Sequence, residues 1–271
     1  MNTKIHNPIW HLTFSGQSNQ PALLWLHGFM GSAADWSELV DDHFRDYYNI
    51  LADLPGHGRS TITEKETFPS LANDLFFQLS AAGIKNFVPI GYSMGGRFAL
   101  HFQKRYHCHI PGLVGISTAP GLKTVAERTE RLAADEALIA RMRSSALPAF
   151  LDTWYQLPLF QSIYENKALL KELLRSRANN DPDQLALALR ILGNGALYSL
   201  WPYLPEMDIP VLLISGSLDS KYCQINADMM TLLPQGEHKL IENGDHAAHL
   251  EKPLETALLI RHFLRALFKG D

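Results

Sequence analysis

The sequence predicts an α/β protein with a mostly parallel, doubly wound sheet. Short apolar runs bounded by glycine and proline recur along the chain, and longer stretches with helical spacing separate them. The runs are apolar on both faces, as strands covered by helices on either side must be.

In order, "ALLWLHG" (22–28), "YNILADLPG" (48–56), "FVPIGYS" (87–93), "GLVGIST" (112–118), "VLLISG" (211–216) and "HKLIE" (238–242) read as strands. "SLANDLFFQLSAAG" (70–83), "RFALHFQKRY" (97–106) and "PLETALLIRHFLRAL" (253–267) read as helices, the last opened by a proline that suits a first helical turn. From about Leu122 to Pro205 the alternation stops, and only helical patterns such as "ERTERLAADEALIARMRS" and "NKALLKELLRSRA" appear. The expected organisation is a core of residues 1–121 and 206–271 with a helical cap, residues 122–205, inserted as a lid. Such a lid would lie over the carboxyl ends of the strands, where sheets of this kind bind ligands.

Bulk composition narrows the partners. With 46% hydrophobic and 19% charged residues the chain is of ordinary globular type, and 271 residues suffice for one large domain with an insertion. A formal net charge of -4 argues against nucleic acid or a polybasic membrane surface as partner. Two cysteines, Cys108 and Cys223, are too few for a disulfide framework. "MNTKIHNPIW" lacks the basic start and apolar core of a signal peptide, and no apolar run approaches the roughly 18 residues of a membrane span. A cytoplasmic protein without membrane insertion, a monomer or small homo-oligomer, is the expectation.

Gly91-Tyr92-Ser93-Met94-Gly95 is a G-x-S-x-G sequence between an expected strand and an expected helix. Flanking glycines permit a strained turn that lifts the Ser93 hydroxyl clear of the strand tip, with the Met94 amide at a helix start. A serine hydroxyl needs a histidine to take its proton. Asp219 in "SGSLDSKY" and His246 in "ENGDHAAH" each follow a late strand, in the order Ser, Asp, His. In "LHGFMGS" (26–32) the backbone can turn so that the Phe29 amide joins that of Met94 in an oxyanion hole.

Other polar clusters read as structural. Asp245, His246 and His249 make a weak metal pattern, and His249 is expected to cap or pack against the final helix. His107 and His109 diverge around a helix end, and His57 sits in the glycine-rich loop "DLPGHGRS". No metal site is expected. Seven of the thirteen arginines fall in the lid region, an enrichment suited to bidentate recognition of carboxylates if they face inward and to solvated helix faces if they do not.

"LHGF", "DLPGHGRS", "GYSMGG", the late Asp and the late His together resemble the α/β-hydrolase superfamily over nearly the whole chain. "GYSMGGR", "AERTERLAAD" (126–135), "DTWYQLPLF" (152–160) and "LLRSRANN" (173–180) resemble more narrowly the 2-succinyl-6-hydroxy-2,4-cyclohexadiene-1-carboxylate synthases of menaquinone or phylloquinone biosynthesis. That resemblance implies a lyase that eliminates pyruvate from an enolpyruvyl precursor bearing three carboxylates, with a Ser-Asp-His triad and no cofactor. It implies Arg97, Arg131 and Arg177 as carboxylate ligands and Tyr92, Trp154 and Phe160 as substrate-lining residues. Arg128 and Arg131 share a helix face, so either can point inward, with Arg131 taken first. Arg177 is taken over Arg175 because it directly precedes "ANN". The alternatives are a serine hydrolase of small carboxylated esters or C–C bonds, and a non-catalytic ligand-binding protein on the same fold.

Overall fold

The apolar runs pair side by side because strands buried between helices must satisfy their backbone hydrogen bonds with one another. The structure, a computed structural model, describes residues 9–268. Most of the segment read for the absence of a signal peptide, residues 1–8, therefore lies outside the described residues. Strands β1 (His11–Ser15), β2 (Ala22–Leu26), β3 (Tyr48–Asp53), β4 (Phe87–Tyr92), β5 (Leu113–Ile116), β6 (Val211–Gly216) and β7 (Gly236–Ile241) form one sheet in the order β1-β3-β2-β4-β5-β6-β7. All neighbouring pairs are parallel except β1 with β3. Every residue of β2, β4, β5 and β6 is buried, as continuous apolar strands between two helical layers require.

Helices α1 (Ser37–His43), α2 (Phe68–Ala81) and α3 (Met94–Tyr106) follow β2, β3 and β4. Residues 122–205 carry α4 (Val125–Arg143), α5 (Leu147–Trp154), α6 (Gln161–Glu165), α7 (Lys167–Arg177) and α8 (Pro182–Leu192), and no strand among the described residues. Then come α9 (Ser220–Met230) after β6, and α10 (Ala248–Glu251) and α11 (Pro253–Phe268) after β7.

Two differences from the sequence expectation have physical causes. The edge strand β1, "HLTFS", has no apolar run: Thr13 and Phe14 are exposed, and it pairs on one side only. It is recognisable by its ladder to β3, which is a tertiary fact. The expected strand 48–56 stops at Asp53, because Pro55 cannot donate to a ladder and Gly56 turns with φ +80°.

The order β3-β2-β4 places the functional loops. The chain leaves β2 toward one edge of the sheet and β4 toward the other, so the loops after β2 and β4 part and leave a crevice between them. Those loops carry Phe29 and Ser93.

Candidate active site

Ser93 sits between β4 and α3 with φ 50° and ψ -108°, outside the regions L-residues favour. Its amide donates to the Ile116 carbonyl at 2.9 Å, and its own carbonyl accepts from the Arg97 amide and the Thr118 hydroxyl, both at 3.0 Å. These bonds hold the strain in place. The glycines make the turn possible: a Cβ on Gly91 would meet the Gly95 backbone at 2.6 Å, and one on Gly95 would meet the Leu26 and His27 carbonyl oxygens at 2.4 Å.

The three residues expected from the sequence meet here. His246 Nε2 lies 3.1 Å from Ser93 Oγ, and His246 Nδ1 lies 2.7 Å from Asp219 Oδ2. With the carboxylate accepting from Nδ1–H, Nε2 is left to accept the serine proton. Asp219 is fixed in turn, its Oδ1 accepting from the Tyr222 amide at 3.2 Å as the N-cap of α9. The Tyr222 ring packs against the imidazole at a tilt of 49°, centroids 4.6 Å apart. Asp245 faces elsewhere: its Oδ1 accepts from the His246 amide at 2.9 Å and its Oδ2 from the Ser162 amide at 3.5 Å.

The loop after β2 is oriented by its own hydrogen bonds. His27 Nε2 accepts from the Leu54 amide at 2.9 Å, so its proton is on Nδ1, which donates to the Gly28 carbonyl at 2.7 Å. That carbonyl also accepts from the Gly31 amide at 3.0 Å. In a trans peptide the carbonyl and the following N–H point opposite ways, so fixing the Gly28 oxygen aims the Phe29 N–H away from His27. Burial lowers the His27 pKa to about 4, which keeps the ring neutral. Gly28 itself packs against the nucleophile, since a Cβ there would lie 2.5 Å from the Tyr92 ring and 3.5 Å from Ser93 Cβ. Phe29 and Met94 both line the cavity above Ser93.

Of the arginines, Arg97, Arg131 and Arg177 line this cavity and Arg128 does not. Arg97 is buried with its Nε unpartnered, and one Nη reaches only the Leu192 carbonyl at 3.5 Å. Burial lowers its pKa, the mark of a cation held without a full counter-charge. Arg131 is half exposed, its Nε donating to Asp135 Oδ1 at 2.8 Å. Arg128 turns instead to the Gly195 carbonyl at 3.4 Å. Arg177, expected as a carboxylate ligand, lines the cavity and is already paired within the protein. Its two Nη atoms fork onto Asp35 Oδ1 and Oδ2, both at 2.6 Å, with both side chains buried. Burial opposes its charge, and the Asp35 carboxylate and Tyr155 more than offset that, raising its pKa. Arg175 is exposed.

Tyr92, Trp154 and Phe160 line the same cavity. Trp154 lies 5.9 Å from Phe29 and 5.7 Å from Phe160, centroid to centroid, so α5 is stacked on the loop after β2. Burial raises the Tyr92 hydroxyl pKa well above its usual value, leaving it protonated. His249 is buried between the rings of Trp36 (4.6 Å) and Tyr92 (4.3 Å), a packing role different from capping α11. His57 meets the rings of His27 and Phe29 edge to face, and His107 and His109 lie in a short helical turn. Among the described residues no group of three metal-ligating side chains comes together, and no helix is long and apolar enough to cross a membrane.

Sequence reasoning missed Asp35, Tyr155, Lys221 and Tyr222 as cavity residues. Lys221 and Tyr222 follow Asp219 directly and were within reach of the motif. Asp35 has no local signal: its partner Arg177 is 142 positions away.

A serine, histidine and aspartate in line at the switch point of a parallel sheet define a protein of the hydrolase type. The α/β-hydrolase fold family matches residues 21–253, and the chain belongs to it. Within it, the chain belongs to the 2-succinyl-6-hydroxy-2,4-cyclohexadiene-1-carboxylate synthase family. It is 35% identical to the putative synthase of Bacillus subtilis, over 93% of each chain. With the synthase of Serratia proteamaculans the identity is 30%, over 92% of this chain and 95% of that one. The structure of MenH from S. aureus superposes with a TM-score of 0.90 at 32% identity, covering 95% of this chain and 98% of that one. A thermophilic esterase from Thermogutta terrifontis, at 22% identity and a TM-score of 0.82, shares the fold.

Proposed function

We propose that this protein eliminates pyruvate from 2-succinyl-5-enolpyruvyl-6-hydroxy-3-cyclohexene-1-carboxylate to give 2-succinyl-6-hydroxy-2,4-cyclohexadiene-1-carboxylate, a step of menaquinone or phylloquinone biosynthesis. The observation that carries this reading over a plain esterase is Arg97, a buried cation with an unpaired Nε in the same cavity as Ser93. A neutral ester gives that charge nothing to bind; a substrate with three carboxylates does.

The residues have these roles. His246, oriented by Asp219, draws the proton from Ser93, and Ser93 Oγ takes the carbon-bound proton beside the succinyl ketone. The electron pair moves onto the ketone oxygen, where the Phe29 and Met94 amides hold the enolate. Collapse of the enolate shifts the ring double bond and breaks the C–O bond to the enolpyruvyl group, and the departing enolate is protonated to pyruvate by the proton held on the Ser93–His246 pair. Arg97 and Arg131 bind carboxylates so that the proton faces Ser93. Tyr92, Trp154 and Phe160 shape the cavity, and residues 122–205 serve as its lid.

The test is pyruvate release from that substrate by the wild type, Ser93→Ala and Arg97→Ala, with a p-nitrophenyl ester run in parallel. Rapid release suppressed by both substitutions, with feeble ester hydrolysis, is expected. Brisk ester hydrolysis without pyruvate would make the protein a hydrolase instead.

A further inference from the structure

Two lid residues touch the loop after β2, and one of the contacts, Arg177 with Asp35, lines the same cavity as Ser93. Arg177 forks onto Asp35 at 2.6 Å through both Nη atoms, and Asn180 Nδ2 donates to the Met30 carbonyl at 2.8 Å. Asp35 is part of that loop's folding: its amide donates to the Ser32 carbonyl at 3.0 Å, and its Oδ2 accepts from the Ser32 amide at 3.4 Å. Met30 holds φ 64°, a conformation a methionine keeps only when its surroundings impose it. The tie at the Met30 carbonyl therefore lies two peptide units beyond the one that presents the Phe29 N–H.

We propose that Arg177, Asp35 and Asn180 form a clamp through which the lid sets the position of the Phe29 amide, so that Arg177 serves as a positioning residue acting through Asp35. The inference rests on reading Ser93 with the Phe29 and Met94 amides as the reacting centre. A substrate carboxylate reaching for Arg177 would have to displace Asp35, leaving a buried carboxylate without its fork. Arg97 has no such competitor. Arg131 pairs with Asp135 through Nε only, whereas both Nη atoms of Arg177 are taken by Asp35; the arginine whose fork is occupied holds the loop. Assembly of the oxyanion site then depends on the lid being seated, which links closure to chemistry.

An uncharged alkyl fluorophosphonate separates the roles. It carries no carboxylate for any arginine, yet its P=O must enter the oxyanion site before Ser93 attacks phosphorus and fluoride leaves. Asp35→Asn and Asn180→Ala are expected to slow labelling of Ser93 at least tenfold, and to lower kcat for pyruvate release with KM changed less than threefold. Asn180 is half-buried and outside the ion pair, so its variant keeps the test open if Asp35→Asn fails to fold. Labelling at the wild-type rate in a folded variant, with KM raised, would overturn the clamp and leave Arg177 as a substrate ligand. Slowed labelling by the variants of a protein that releases no pyruvate would uphold the clamp while the substrate reading fails. A wild-type Ser93 that is not labelled at all would overturn the clamp, since there would be no loop amide activating a ligand there.

Discussion

Arg97 lies one helical turn beyond Ser93, its amide donating to the Ser93 carbonyl at 3.0 Å, while its guanidinium is buried with Nε unpartnered. One hydrogen bond thus fixes the Ser93 backbone relative to a cation. A charge in this state costs stability and is kept for what it binds. Arg97→Met is therefore expected to raise the unfolding free energy by about 1 kcal/mol and to lower kcat/KM about 100-fold, the loss of one or two charge-assisted hydrogen bonds. Urea unfolding and the pyruvate assay on the same preparation check both, and a variant that is destabilised and fully active would contradict the assignment.

Asp219 and Asp245 both contact His246, yet only Asp219 meets the ring. Asp219→Asn should lower kcat by on the order of 10³ to 10⁴, because the amide favours the wrong imidazole tautomer, as in serine proteases. Asp245→Asn keeps an oxygen to accept the backbone amide and should stay within about threefold of wild type, a loss of under 1 kcal/mol. Steady-state kinetics on the two variants decide which carboxylate serves the triad.

Gly28 has no room for a methyl group, which would sit 2.5 Å from the Tyr92 ring. Gly28→Ala should force Tyr92 and the loop apart, costing about 1–3 kcal/mol of stability. It should also lower kcat/KM about 10- to 100-fold through misplacement of the Phe29 amide. Thermal unfolding together with turnover measures the two effects.

Burial holds four histidines neutral: His27 with a pKa of about 4, and His57, His101 and His249 with values of about 3. Their folded values lie below the ordinary 6.5, so the unfolded chain binds more protons as the pH falls below that value. Stability is accordingly whole above about pH 6.5 and lost as the pH falls to about 4 for His27 and about 3 for the other three, each group contributing a slope of about 1.4 kcal/mol per pH unit in the steep range. His101 has both ring nitrogens unpartnered against Phe68 and Tyr198, so His101→Leu removes one such slope without breaking a hydrogen bond. Urea midpoints between pH 4 and 7 would show it; an unchanged slope would mean that His101 is not buried as the structure has it.

By itself the sequence laid out β2 to β7, the helical segment after β5 and the positions of Ser93, Asp219 and His246. Each of these is written locally: β2 and β4 as apolar runs, Ser93 between glycines, Asp219 and His246 just past the ends of β6 and β7. The resemblance of "GYSMGGR" and "ERTER" also singled out Arg97 and Arg131, which line the same cavity as Ser93. Tertiary structure decided what depended on partners far along the chain. The edge strand β1 exists through its ladder to β3, His249 is sandwiched by Trp36 and Tyr92, and Arg177 found Asp35 before any substrate. The physical reason is that period and turn chemistry act over a few residues, whereas the state of a buried charge is set by whichever opposite charge folding brings beside it. Arg97 and Arg177 are chemically identical in the sequence; the fold left one free and paired the other.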